Sequence, residues 1–402
     1  MPQPRRHDLS AQAVGAGVSA CLVGYASSVA VVVAGLTAVG ASTAQVSSAL
    51  LALGVGMAVT SVLLSVTTRV PVAVVWSTPG LALLAGLGDV DGGLPVVLGG
   101  LVVAGLLLAV TGLVPPLSGA LQRLPAATSS AVLAGVLLPF CLAPATALAD
   151  RPLQVGVLWL AWLAALRWAP RAAAPATLGV LLVLVAGDVV LPAGEAVVPV
   201  PVLVAPSFTL AAVLQVALPV YLVTMAAQNL VGAAVLVAHG YRPPLGAALV
   251  GTGVTSALLA PLGAPTSNLA AITGALTAGP AAHPDRSRRW VAAAAAGVGH
   301  LGLALVAPLA AAVVTQAPTG LVLAAAGLAL LPTFTASAHA ALEDQDERLP
   351  AAVVVLVTAS GVSLLGLGSA PLGLVVGLAL RRLLRRRPPP PARHAADRRA
   401  GA

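Results

Sequence analysis

Two short stretches combine hydroxyl and amide side chains with interrupted backbone in a way that suits anion binding. One reads Val70-Pro71-Val72-Ala73-Val74-Val75-Trp76-Ser77-Thr78-Pro79-Gly80. Its first part is β-branched after an early proline and favours extended backbone. Ser77 or Thr78 can then cap a helix with Pro79 in its first turn. The other reads Pro261-Leu262-Gly263-Ala264-Pro265-Thr266-Ser267-Asn268-Leu269. It repeats the logic: a Pro/Gly-broken approach, Thr266, Ser267 and Asn268 as caps, then a short helix. A helix that begins inside a protein presents unpaired N–H groups and the positive end of its dipole. Two such N-termini facing each other make an anion site without an arginine. The plainer reading is that these side chains only cap their helices, or that each break is a kink, since Pro and Gly are common in membrane helices.

Other polar residues lie inside apolar runs. Gln228 and Asn229 are costly in lipid and should face an interior cavity, unless they serve as hydrogen-bonding glue between helices. Ser27 and Ser28 sit mid-helix with Tyr25, either lining a site or simply allowing close packing. Trp76 borders the first break and can stack on an aromatic ring or pack its own extended segment. His300 is, besides Tyr25, the titratable group well inside a predicted helix. It is a candidate proton-coupling residue, although nothing in the sequence brings its segment to the two breaks. His239 and His283 fall near helix ends. The sequence shows no metal-ligand cluster, Walker-type loop or nucleophile triad, so neither a cofactor nor an enzyme activity is expected.

The elements that must position these residues are set by composition. Of 402 residues, 59% are hydrophobic and 8% are charged. Soluble domains carry about 25% charged residues. Charge-free tracts cover 9–68, 92–122, 196–241, 291–342 and 350–380, and a bilayer-spanning helix needs roughly 20 apolar residues. Long Val/Leu/Ala runs without alternation exclude an outer-membrane barrel. The chain therefore reads as an all-α polytopic membrane protein whose partner is the lipid bilayer. All 20 basic residues are arginine, a codon-composition signature rather than chemistry. The net charge of +8 is topological and not a nucleic-acid signal. Cys21 and Cys141 lie in apolar runs and imply no disulfide framework. Val18-Ser19-Ala20-Cys21 fits a lipoprotein cleavage box, but cleavage there would cut the first span in half.

The pattern predicts about 14 spanning segments: 12–36, 44–66, 70–87, 94–114, 128–148, 152–169, 173–190, 209–238, 244–261, 265–279, 288–312, 318–336, 350–367 and 370–386. With that count Arg5, Arg6, Arg69, Arg123, Arg167, Arg171, Arg242, Arg286, Arg288, Arg289, Arg348 and the tail from Arg381 share the side of the termini. Arg151, Asp89, Asp91, Asp150, Asp188 and Glu195 fall opposite. The positive-inside rule puts both termini in the cytoplasm of a bacterial inner membrane. Residues 1–11 form a cytoplasmic N-terminus and 387–402 a disordered basic tail. The breaks occupy the third and tenth segments, the third of each half. Seven segments per half invert the second half, giving repeats over 12–190 and 191–386. Paired interruptions at matching places of inverted halves point to a transporter binding site.

At these residues the chain resembles the benzoate/proton symporter family (BenE type). The resemblance is carried by Val23-Gly24-Tyr25-Ala26-Ser27-Ser28, Trp76-Ser77-Thr78-Pro79-Gly80, Thr224-Met225-Ala226-Ala227-Gln228-Asn229-Leu230 and Ser267-Asn268-Leu269-Ala270-Ala271-Ile272-Thr273. His283-Pro284-Asp285 with Arg288-Arg289-Trp290, and Thr358-Ala359-Ser360-Gly361-Val362-Ser363, continue it. That family looks like a relative of uracil/xanthine permeases and sulfate/bicarbonate transporters. The resemblance implies a core of segments 1–4 and 8–11, a gate of segments 5–7 and 12–14, and a site between the half-helices flanked by segments 1 and 8. Relatives of this fold look like homodimers, and the sequence itself marks no interface. Uracil permeases carry acidic residues on segment 8 and beside the segment-10 Asn, where this chain has Gln228, or its neighbours, and Ser267. A neutral site suits an anionic cargo, because a buried carboxylate beside a carboxylate would repel it. Import of benzoate or a similar small aromatic carboxylate with protons follows. Another organic anion or a nucleobase on the same fold is the nearest alternative, and a non-transporting membrane scaffold a remote one.

Overall fold

The computed structural model describes residues 10–87, 90–114, 116, 126–190, 198–362, 364 and 369–384. Arg5, Arg6, Asp89, Arg123, Glu195, Ser363 and the 387–402 tail, on which part of the charge pattern and the family likeness rests, lie outside them. The chain runs α1 (Ala11–Ala38), α2 (Thr43–Thr68), β1 (Val74–Trp76), α3 (Thr78–Leu87), α4 (Gly93–Leu113), α5 (Ala126–Asp150), α6 (Pro152–Trp168) and α7 (Ala173–Val185). It continues through α8 (Ala212–Ala238), α9 (Leu245–Leu262), β2 (Ser267–Leu269), α10 (Ile272–Ala278), α11 (Trp290–Ala304), α12 (Ala307–Gln316), α13 (Thr319–Leu342), α14 (Arg348–Ala359) and α15 (Ser369–Leu384). Among the described residues, α1, α2, α4, α5, α8, α9 and α13 are each long and apolar enough to cross a bilayer, and α11 with α12 makes an eighth span if the bent pair counts as one. Leu63, Leu153, Leu160 and Val183 are exposed, the outward apolar surface that a lipid solvent requires.

Five segments depart from the sequence pattern. The segment placed at 288–312 is two helices, α11 and α12, bent by 64°. Pro308 in the first turn of α12 cannot donate to the carbonyl one turn back, so the ladder stops at Ala304. The eighth segment is not a plain α-helix: π turns occupy Ala212–Ala217 and Met225–Asn229. α13 runs on to Leu342 with Pro332 inside it, and α14 already ends at Ala359. The tenth segment begins its helix at Ile272, with Ala271 at the cap and no side-chain capping bond. Thr266, Ser267 and Asn268 are therefore not its caps. Ser267 and Asn268 form strand β2 instead, because the backbone there finds a partner strand.

Packing groups the helices. α5 packs chiefly on α13 and α14, α14 on α15, and α6 on α7; α2 packs on α11, α4 on α9, and α1 on α11 and α3. The α4–α9 contact is a seam of small residues, which lets backbones close up where no hydrophobic force draws helices together. A Cβ on Gly105 would lie 2.6 Å from the Ala257 nitrogen and 2.8 Å from the Gly253 oxygen, and one on Gly112 would lie 2.6 Å from the Gly246 oxygen. At one end of the bundle arginines gather. Arg69 lies 4.5 Å over the Trp290 ring and Arg286 4.3 Å over the Tyr241 ring. Arg289 is buried and donates to the Ala278, His283 and Pro284 carbonyls at 2.9, 2.7 and 3.3 Å. Beside them, bonds from the Ser287 hydroxyl and N–H hold the Asp285 carboxyl below the usual carboxylate range.

The glycine seam yields a stability prediction. Gly105→Val forces a side chain into the α9 backbone and should lower stability by about 1–3 kcal/mol or more. Thermal unfolding of the purified protein in detergent reads this out, and an unchanged melting temperature would show that α4 and α9 are not held this closely.

Candidate functional site

The centre of the molecule is a crossing of two extended segments. β1 and β2 pair antiparallel, with Val74 opposite Leu269, Val75 opposite Asn268 and Trp76 opposite Ser267. The Ala270 N–H donates to the Ala73 carbonyl at 2.9 Å and the Ser77 N–H to the Thr266 carbonyl at 2.8 Å, which extends the ladder at both ends. The outer edges are closed by side chains. Ser61 Oγ on α2 accepts from the Val74 N–H and Ser256 Oγ on α9 from the Ser267 N–H, each at 2.9 Å. Asn229 Oδ1 accepts from the Leu269 N–H at 3.0 Å. Gly263, at φ +88, makes the left-handed turn that takes α9 into this approach, a conformation that favours glycine.

β1 leads straight into α3. Ser77 caps that helix, its Oγ accepting from the Gly80 N–H at 3.2 Å. The same hydroxyl is 2.7 Å from Thr224 Oγ1, which is 3.3 Å from Thr266 Oγ1. This chain of hydroxyls ties the start of α3 to α8 and to the residue before β2.

Beside the crossing lies a cavity of about 510 Å³. The first turns of α3 (Thr78, Pro79) and α10 (Ile272, Thr273) line it, with Gly24, Ser27 and Ser28 of α1, Gln228 of α8 and His300 of α11. Its opposite wall comes from α5 (Ser129, Ser130, Leu133, Leu137) and from α13 between Ala329 and Ala340. Trp76 stands between the two breaks: its Nε1 donates to Ser28 Oγ at 2.9 Å. Its ring meets Tyr25 at 5.3 Å and 64°, and His300 at 6.3 Å and 73°. Both are edge-to-face contacts of the kind aromatic pairs favour.

Of the residues singled out in the sequence, Ser27, Ser28, Trp76, Thr78, Gln228 and His300 line the cavity, and Tyr25, Ser77, Asn229, Thr266, Ser267 and Asn268 are not among its lining. All of the latter but Tyr25 bond chiefly to one another or to the crossing, and the Tyr25 hydroxyl is buried without a hydrogen-bond partner. Asn268 Nδ2 donates to the Leu269 carbonyl at 2.8 Å and to Gln228 Oε1 at 3.4 Å. Neighbours Gln228 and Asn229 lie on different faces of the helix, so Gln228 reaches the wall while Asn229 serves the Leu269 N–H. α11 does reach the site, which its sequence position did not announce. Ser129, Ser130, Thr273, Thr333 and Ser337 line the cavity too and were not singled out. Their signal was available: small hydroxyl residues adjacent or four apart inside apolar helices, the feature that drew notice to Ser27 and Ser28.

The lining has a definite chemistry. Among the described residues that form it, His300 is the one titratable side chain, and no arginine, aspartate or glutamate is present. Hydroxyls, one amide and two helix beginnings supply donors, while Trp76, Leu133, Leu137 and Ile272 supply apolar surface. Such a wall suits a small molecule with one anionic end and one flat apolar end.

Comparison with known proteins gives the same direction. Residues 7–383 match the family model described as benzoate membrane transport protein (BenE). The chain is 39% identical over 365 residues to the inner membrane protein YdcO of Escherichia coli (strain K12), covering 90% of this chain and 93% of that protein. It is 30% identical over 375 residues to the benzoate membrane transport protein of Acinetobacter baylyi (strain ATCC 33305 / BD413 / ADP1), covering 93% and 95%. Among solved structures, the transmembrane domain of a cyanobacterium bicarbonate transporter, BicA, superposes with a TM-score of 0.59 at 17% identity, over 91% of this chain and 97% of that one. That last likeness concerns the fold alone.

The crossing can be tested apart from transport. Asn229→Ala leaves the buried Leu269 N–H without its acceptor, which should cost about 1–3 kcal/mol of stability. Thermal unfolding in detergent checks it, and a variant as stable as the parent would show that Asn229 does not support β2.

Proposed function

The chain belongs to the benzoate membrane transport protein family, and from that premise we propose that it imports benzoate or a similar small aromatic carboxylate together with protons. The observation that carries the reading is the neutral cavity between two helix beginnings. A carboxylate placed against the first turns of α3 and α10 would meet the positive dipole ends of both and the N–H groups of the α10 turn, which no side chain caps, with Thr78, Thr273 and the amide of Gln228 within the same wall. The aromatic ring would lie on Trp76 and the leucines of α5. Benzene alone is held by cavities of roughly 150 Å³, so a volume of about 510 Å³ accommodates a substituted ring with water.

In this reading the two halves, 12–190 and 191–386, are inverted repeats of seven segments. The matched roles of Ser61 on α2 and Ser256 on α9 support that pairing: each sits on the second segment of its half and closes the outer edge of that half's strand. The core is α1–α4 with α8–α12, and the gate is α5–α7 with α13–α15. The preference of α5 for α13 and α14, and of α1, α2 and α4 for α9 and α11, supports the division. The cavity has walls from both sets, so sliding one against the other would expose it to alternate sides. The gathering of Arg69, Arg286 and Arg289 at one end supports cytoplasmic termini.

Three measurements follow. Purified protein in proteoliposomes should accumulate labelled benzoate under an imposed inward proton gradient, with unlabelled aromatic acids competing. No uptake would overturn the cargo, and competition by nucleobases instead would favour the other cargo class. Gln228→Leu, which keeps the helix but removes the wall amide, should weaken benzoate binding about tenfold or more, or about 1.4 kcal/mol, in equilibrium binding. Ser77→Ala and Asn268→Ala should each impair transport; if both leave it intact, the paired half-helix site is wrong.

A further inference from the structure

His300 is 2% exposed and lines the cavity. Its Nδ1 is buried without a hydrogen-bond partner. Buried polar atoms are normally paired, so an imidazole with an unpaired ring nitrogen beside a cavity has room for one more polar contact. Its surroundings are poor in charge. α11 packs on α1, α2, α10 and the 286–288 turn. Within those elements the ionisable side chains are Cys21 and Tyr25 of α1 and Arg286 and Arg288 of the turn. Arg289 precedes α11, about 16 Å up the helix from His300 at 1.5 Å per residue; Arg69, beyond the end of α2, lies over Trp290 at that same end. The Trp76 ring at 6.3 Å fixes the imidazole plane. No carboxylate side chain faces it among the described residues.

A charge on this ring is expensive without a counter-ion, and so is a carboxylate in the same cavity. Together they neutralise each other. We propose that His300 is the proton-binding group of the transport cycle: its imidazole takes a proton from the side where the cargo enters, pairs as imidazolium with the cargo carboxylate, and releases the proton on the other side as the carboxylate leaves. The proposal rests on the reading of the cargo as a monocarboxylate. The balance is one proton in and one proton out per anion, with the carboxylate unprotonated throughout and the transported charge zero. Reciprocity follows: the proton tightens cargo binding by the same factor as the cargo tightens proton binding.

The experiment uses the full-length protein in detergent, in weakly buffered solution with a pH-indicator dye. Addition of benzoate to the wild type should take up about one proton per molecule bound somewhere between about pH 5.5 and 8. His300→Gln should bind benzoate about tenfold or more weakly at the acid end, with an affinity flat across that range and no proton uptake. In proteoliposomes it should retain benzoate exchange but lose gradient-driven accumulation. If His300→Gln melts early, His300→Asn replaces it. Wild-type binding of benzoate without proton uptake overturns the proposal and needs no variant. Proton uptake undiminished in either variant overturns it too and leaves the cargo standing. If the wild type ignores benzoate, salicylate and nicotinate but binds an aliphatic monocarboxylate such as acetate with proton uptake that His300→Gln abolishes, the cargo reading falls and His300 stands; if none of the four binds, both fall.

Discussion

Backbone that is not helical has to satisfy its own N–H and C=O groups before it can exist away from water, and this chain has two such stretches at its centre. In hydrocarbon each unpaired group costs several kcal/mol. The solution is mutual: β1 and β2 pair with each other, and three side chains close what pairing leaves open. Everything around the crossing follows from that. α2 must bring Ser61, α9 must bring Ser256, and α8 must present Asn229. The helix positions are thus set by hydrogen bonds that the strands need as much as by packing.

The same constraint shapes the cavity. Because the strands consume the nearby hydroxyls and the Asn amides, the groups left to face the open space are few: Ser27, Ser28, Thr78, Gln228, Thr273 and hydroxyls of α5 and α13, beside one imidazole. A site so built has donors but no fixed charge. Such a site would distinguish a cargo by where an anionic end and a flat end must lie, rather than by a permanent counter-ion.

Much of this was legible in the sequence and some was not. The two breaks were visible because Pro, Gly and β-branched residues interrupt an otherwise uniform apolar pattern, and the extended character of Val74–Trp76 follows from its residue types. The strand at Ser267–Leu269 was misread as a helix cap, because Ser and Asn suit both roles and only the partner strand decides between them. The π turns of α8 leave no local mark, since residues such as Ala, Met and Gln suit both kinds of helix. The opposite wall was missed for a different reason. Ser129, Ser130, Thr333 and Ser337 are ordinary small polar residues until a distant segment comes to face them.

The π turn at Met225–Asn229 has one more consequence, for how this gene can change. A π turn holds one residue more than the α-helix on either side, so α8 here is a helix with an insertion built into it. Excising one residue would restore regular α geometry with no loss of helix and little change in hydropathy. The wide turn absorbs the extra residue, so the helix beyond would keep its phase, and Gly232, whose missing side chain lets Leu269 approach, would still face β2. Inside the turn the faces would be redrawn, and Gln228 and Asn229 would no longer divide between wall and strand. A one-residue deletion here would therefore be felt at the site and not along the rest of α8.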